Sequence, residues 1–207
     1  MIAIIDYDAG NIKSVEKAFV YIGEDVVLTR DRDVILSADG VVLPGVGAFG
    51  DAMDKLDRYG LSDTLREVVK LNIPLLGICL GQQLLFESSE ESPGAKGLGI
   101  LKGKIRRIPE TGLKIPHIGW NDLKFPRKGR LFEGIPEGTY VYFVHSYYLD
   151  SEDKSIVTAT CEYGTTIEAS VESGNVFAAQ FHPEKSSDLG LKMLENFVSV
   201  IRNKKES

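Results

Sequence analysis

Cysteine is scarce in this chain of 207 residues: there are two, Cys79 and Cys161, in unlike settings. Two thiols so placed make no disulfide framework. Basic charge is also short, with 24 Lys and Arg against 30 Asp and Glu for a formal net charge of −6. That balance argues against nucleic acid as a ligand, because phosphate binding needs a basic face. No apolar run approaches membrane-spanning length, and no repeat, low-complexity tract or long linker divides the chain. The opening "MIAIIDYDAG" meets an Asp at position 6 and reads as a strand rather than a signal peptide. These absences point to a soluble protein of a reducing, cytoplasmic compartment. The length suits one domain over 1–207, and a hydrophobic content of 43% is ordinary for a substantial core.

What is present alternates. "IAIIDY", "VVLT", "GVVLP" and "IPLLGI" read as buried strands. Between them "NIKSVEKAFVYIG" carries Ile12, Val15, Phe19 and Ile22 at helical spacing and stops at Gly23. "DAMDKLDRYGLSDTLREVVK" reads as helix broken near Gly60, and "LGQQLLFES" as the next helix. This rhythm predicts an α/β fold, a mixed but mostly parallel central sheet with helices on both faces. The second half is β-rich, with "GILKGKIRRIP", "TYVYFVHSYYL", "SIVTATCEY", "TTIEASVES" and "NVFAAQFHP". A C-terminal helix, "SSDLGLKMLENFVSVIRN", closes the pattern.

Cys79 stands between Gly77 and Gly81 in "GICLG", at the end of a predicted strand. A lone cysteine is by itself most often a small buried hydrophobe. Here the pattern matches a nucleophile elbow, in which a strained strand-to-helix turn holds the nucleophile up. A Cβ at either glycine would crowd such a turn. A helix opening at Leu80 would set N–H groups and a positive dipole end beside the sulfur, favouring thiolate. Cys161, in "TATCEY", has neither glycines nor a helix start and reads as core.

A nucleophilic thiolate needs a base and a group to orient it. Of three histidines, His182 lies in "AAQFHPEKS", directly after an apolar strand, with Glu184 two residues on. An oxyanion hole completes acyl-transfer chemistry. "LPGVGAFG" ends another strand, and there the Val46 N–H and the Leu80 N–H are the candidate donors. His145 reads as a satisfied core or rim histidine. On these residues alone a stand-alone cysteine hydrolase and a non-catalytic binding module remain open.

Together "LPGVGAFGDAM", "GICLGQQLLFE", "GLGI" and "QFHPEKS", in this order and spacing, resemble the class I, triad-type glutamine amidotransferase family, with its flavodoxin-like core. The resemblance covers nearly the whole chain. It implies Cys79 as nucleophile on the glutamine amide, His182 as proton donor to departing ammonia, and Glu184 as its orienter. It implies that Gly47, Gln83, Ser146 and Tyr147 hold the substrate, with no cofactor and no metal. "DYDAGNIKSV", "IPHIGWN" and "YFVHSYY" further resemble the glutaminase subunits of imidazole glycerol phosphate synthase. There the partner is a separate (β/α)₈-barrel cyclase in a heterodimer that takes up the ammonia, in histidine biosynthesis. Asn11, His117, Trp120 and Lys185 are then expected at the partner interface, with "PHIGWN" otherwise a packed internal turn. Asp8-Ala9 and Gln82 depart from the family's commoner residues.

Overall fold

The computed structural model describes residues 1–205. Its first half alternates as the apolar runs require: β1 (Ile2–Ile5), α1 (Ile12–Tyr21), β2 (Val26–Thr29), α2 (Arg32–Ser37), β3 (Gly40–Leu43), α3 (Phe49–Arg58), α4 (Leu61–Lys70), β4 (Leu75–Ile78) and α5 (Leu80–Leu84). The remainder is β5 (Ser88–Ser89), β6 (Gly103–Arg107), β7 (His117–Asp122), β8 (Tyr140–His145), β9 (Tyr147–Ser151), β10 (Val157–Glu162), β11 (Thr166–Ser173), β12 (Val176–Ala179) and α6 (Ser187–Lys205).

A seven-stranded sheet in the order β10-β11-β12-β4-β3-β1-β2 forms the centre. The pairs from β12 through β4, β3 and β1 to β2 are parallel, and β10-β11-β12 are antiparallel. Successive strand side chains point to opposite faces, so each parallel strand feeds two cores. Ile2 and Ile4 pack with Phe19 of α1 and Phe197 of α6. Ala3 and Ile5 pack with Leu56 of α3 and Leu65 of α4 on the other side. A helix layer on each face is the only way to bury both, which is why these strands read as unbroken apolar runs.

Four expectations need correction. β2 is half-buried along its length, because it is the sheet edge with a neighbour on one side only. α5 ends at Leu84 instead of running on through "LLFES". The carbonyls of Leu84, Leu85 and Phe86 are taken by N–H groups of Leu98, Ile100, Leu101 and Gly99, so a returning loop replaces the next helical turn. "PHIGWN" is no turn but β7, paired antiparallel with β8 from His117 opposite His145 to Asp122 opposite Tyr140. Gly119 in its middle hid the strand alternation. The "TYVYFVHSYYL" run is likewise two strands that part at Ser146, β9 joining β6 in a separate sheet.

The carboxyl ends of β1, β3, β4 and β12 lie side by side. In open α/β sheets that edge is where reacting groups collect.

Candidate active site

Cys79 leaves the end of β4 with φ 55° and ψ −110°, a conformation L-residues rarely adopt. The flanking glycines make it sterically possible. A Cβ at Gly77 would stand 2.8 Å from the Gly81 carbonyl oxygen, and one at Gly81 would stand 1.8 Å from the Leu43 oxygen. β3, β4 and α5 therefore approach through backbone alone, and the thiol projects from the tightest point. Gln180 Nε2 reaches Sγ at 3.8 Å.

β12 delivers the partner. His182 Nδ1 lies 2.7 Å from Glu184 Oε1, with both side chains almost wholly buried. The same oxygen accepts from Asn11 Nδ2 at 2.9 Å, while Oε2 is buried with no hydrogen-bond partner among the described residues. The imidazole's other nitrogen, Nε2, is also buried without a hydrogen bond. Burial drives the His182 pKa down, but its interactions with Cys79 and then Glu184 outweigh it and hold the ring up to about 9. At neutral pH His182 carries a proton beside a sulfur.

The oxyanion loop follows β3. Its Gly45 carbonyl accepts a hydrogen bond from the Leu80 N–H at 3.3 Å. Because a trans peptide sets C=O and N–H in opposite directions, the Val46 N–H points away from Leu80. Neither expected donor is free in this state: Leu80 is occupied and Val46 is turned out. Gly47, at φ 104°, sits where a side chain would be strained.

One cavity of about 300 Å³ is lined by Val46, Gly47, Cys79, Leu80, Gln83, Ser146 and Tyr147, together with Glu91, Pro116, Val144 and His145. A family model, "Glutamine amidotransferase class-I", matches residues 3–201. The chain belongs to the class I glutamine amidotransferases. It is 52% identical over 202 residues to "Imidazole glycerol phosphate synthase subunit HisH" of Moorella thermoacetica, covering 98% of this chain and 96% of that one. The protein of the same name from Bacillus cereus is 52% identical over 207 residues, 100% of this chain and 98% of the relative. Among solved structures, a glutamine amidotransferase superposes with a TM-score of 0.78 at 20% identity, covering 98% of this chain and all of that one. PurLQS from Thermotoga maritima gives a TM-score of 0.76 at 20% identity over 97% of this chain and 98% of that one. At that identity the structures speak for the fold only.

Behind His145 in the lining of the amidotransferase cavity runs a polar chain that sequence reasoning missed. Asn121 Nδ2 lies 3.5 Å from His117 Nε2, His117 Nδ1 lies 3.0 Å from His145 Nε2, and His145 Nδ1 lies 2.8 Å from the Tyr147 carbonyl. An amide nitrogen only donates and a carbonyl only accepts, so one set of tautomers satisfies the chain: each ring carries its proton on Nδ1. Burial pushes His117 down to about 4 and His145 down to about 3, keeping both neutral. The Tyr147 carbonyl also accepts from Gln83 Nε2 at 3.1 Å, and Gln83 Nε2 donates to Gln180 Oε1 at 2.9 Å. Glu91 is the second omission. It lies in the charged stretch "SSEESPGAK", where nothing local distinguishes it, yet it accepts from the Phe49 N–H at 2.8 Å and faces the cavity.

Two interface expectations change. His117 is 3% exposed and stacked against Tyr163 and Phe143, so its ring is an internal strut rather than a contact surface. Asn11 is half-buried with its amide committed to Glu184. Trp120 and Ile118 do lie on the outer face of β7, at 50% and 56% exposure. Lys185 is exposed with its ammonium 6.0 Å from the Tyr142 ring, against which Trp120 packs edge-on. The departure at Asp8 also has a physical basis. Its φ of 60° suits glycine, but Arg30 Nη2 donates to Oδ1 at 2.7 Å, Tyr59 donates to Oδ2, and Lys55 Nζ holds the Asp8 carbonyl at 3.0 Å. Gln82, the other departure, is fully buried and donates to the Glu168 carbonyl at 3.3 Å.

Proposed function

We propose that the chain is the glutaminase subunit of an imidazole glycerol phosphate synthase, hydrolysing glutamine to glutamate and ammonia for histidine biosynthesis. The observation that carries the chemistry is a strained, glycine-framed Cys79 beside a His182 whose proton is held up to about 9. Cys79 Sγ attacks the side-chain carbonyl carbon of glutamine and the C=O electrons move to oxygen. As the tetrahedral species collapses, the C–N bond breaks and His182 Nε2 delivers its proton to the leaving nitrogen, releasing ammonia. A γ-glutamyl thioester remains. His182, now neutral, takes a proton from water, which cleaves the thioester and frees glutamate. Glu184, itself held by Asn11, fixes the His182 tautomer and stabilises its cation.

The cavity wall supplies the substrate's other end. Gln83 spends its amide N–H groups within the protein, leaving its carbonyl oxygen for an ammonium. Glu91 is the one carboxylate in the lining and complements the same charge. Gly47, Ser146 and Tyr147 present backbone to the substrate's carboxylate end.

The partner is a cyclase subunit of (β/α)₈-barrel fold that consumes the ammonia. Its docking face centres on Trp120, Tyr142 and Lys185. Tyr142 touches the machinery directly, since its carbonyl accepts from the His182 N–H at 3.0 Å and its N–H donates to Ser186 Oγ at 3.0 Å. With the oxyanion donors occupied or averted, the unpartnered chain is a poor glutaminase. Docking turns the Gly45–Val46 peptide. Loss of one oxyanion donor typically costs about 10²–10³-fold in rate, so the expected stimulation is at least about 10²-fold. The test is steady-state glutaminase activity of the chain alone, with the cyclase, and with cyclase plus imidazole glycerol phosphate. Equal turnover in all three refutes the gate and favours a stand-alone hydrolase.

A further inference from the structure

One buried polar side chain next to the nucleophile has no place in the steps above. Tyr7 follows β1 and is 1% exposed. Its hydroxyl donates to the Pro44 carbonyl at 2.8 Å. It also lies hard against the next residue, for a Cβ at Gly45 would stand 2.2 Å from the Tyr7 oxygen. Burial first, and then the neighbouring Cys79, pushes the phenol far up, so it stays a neutral O–H donor throughout the working pH range.

These contacts fix one end of the peptide that has to turn. Pro44 has a locked φ and no N–H, and its carbonyl is tied to Tyr7. Turning the Gly45–Val46 peptide changes ψ of Gly45 and φ of Val46, and Gly45 takes up its share without the steric limits of a side chain. The plane can then rotate in place, exchanging the Gly45 carbonyl for the Val46 N–H beside Leu80. Were Pro44 loose, the whole 44–47 segment would shift, and the N–H would miss the roughly 3 Å placement an oxyanion donor needs. The support beneath is braced as well: Asp8, next to Tyr7, is held by Arg30, Tyr59 and Lys55. Gly10 lies under the Val46 side chain, where a Cβ would come within 2.9 Å of Val46 Cγ2.

We propose that Tyr7 is a positioning residue whose hydroxyl is the fixed pivot on which the Gly45–Val46 peptide turns into the oxyanion site. The proposal rests on the gating described under the proposed function. Tyr7→Phe removes the hydroxyl and keeps the ring. In the complete complex with cyclase and imidazole glycerol phosphate, its stimulated kcat should fall about 10- to 100-fold, as for a donor misplaced by an ångström. KM for glutamine should stay within about threefold, because ground-state binding does not use the oxyanion donor. Alkylation of Cys79 by iodoacetamide should proceed as in the wild type, showing that the elbow is intact. A stimulated kcat within about twofold of wild type, or a raised KM at constant kcat, overturns the pivot while leaving the gate. A wild type that the cyclase fails to stimulate overturns both. A wild-type measurement covers the case in which the variant does not fold. With ¹³Cζ-tyrosine labelling, the Tyr7 resonance should hold its position between free and activated protein while the Val46 amide moves; a Tyr7 signal that moves overturns the pivot.

Discussion

Replacing Cys79 by alanine removes a partner that helps keep a proton on His182, and the loss is directly measurable. Burial alone would lower the His182 pKa; Cys79 and then Glu184 raise it to about 9 from an unfolded value of 6.5. The rise from 6.5 to about 9 corresponds to about 3 kcal/mol. Since the folded value is the higher one, this stabilisation is fully present below pH 6.5 and is lost as pH rises through 9. In Cys79→Ala only Glu184 opposes the same burial, so His182 should titrate about one unit lower or more. The loss of stability between pH 6 and pH 9.5 should shrink by about 1 kcal/mol or more. The assay is a ¹³Cε1 NMR titration of the histidine rings, paired with urea unfolding across that range. The chain's other two histidines, His117 and His145, are held neutral by burial at about 4 and about 3. They serve as silent internal controls above pH 5.5. A His182 that still titrates near 9 without the sulfur would refute the coupling of the imidazole to Cys79.

Other outcomes follow from the same contacts. His182→Ala should abolish turnover in the cyclase complex, whereas Glu184→Gln should lower it less completely, because Glu184 orients a proton carrier and does not move the proton; equal activity of wild type and Glu184→Gln would remove Glu184 from the mechanism. Cys161 is buried, with burial first and then Glu162 and Asp122 pushing its thiol up to about 12. Cys161→Ala should leave turnover unchanged, and mass spectrometry of native protein treated with iodoacetamide should find label on Cys79 alone. Gly81→Ala would drive a Cβ to 1.8 Å from the Leu43 oxygen, and backbone cannot yield cheaply there. Thermal unfolding should report a loss of about 3 kcal/mol or more. Trp120→Ala should weaken cyclase association by about 2 kcal/mol, as an interface aromatic anchor does, without changing the unfolding midpoint of the free chain. Isothermal titration calorimetry reads the first effect.

The sequence carried the parts of the site whose geometry is local. Gly77-Ile78-Cys79-Leu80-Gly81 specifies its turn because the reason for each glycine lies in contacts among β4, α5 and the adjoining strand end. His182-Pro183-Glu184 likewise brings ring and carboxylate together within three residues. Apolar runs of strand length, separated by helical spacing, declared a sheet covered on both faces, since only strands buried on both sides lack polar alternation. The cavity residues Val46, Gly47, Gln83, Ser146 and Tyr147 were legible through motif order, and they do line one cavity with Cys79.

Tertiary structure decided what depends on partners far apart in the chain. Asn11 meets Glu184 across 173 positions, and His117 meets His145 across 28. A sequence period says which face a side chain takes, not which neighbour it finds there, so an expected interface histidine proved to be an internal strut. Glu91 enters the cavity from a stretch of ordinary surface composition, and Tyr7 meets Pro44 only because β1 and β3 are neighbours in the sheet. The state of the oxyanion site belongs here too. Whether the Gly45 carbonyl or the Val46 N–H faces Leu80 is a choice between two orientations of one peptide with the same composition. Hydrogen bonding across the β3 and β4 strand ends makes that choice, and no local preference of the residues does.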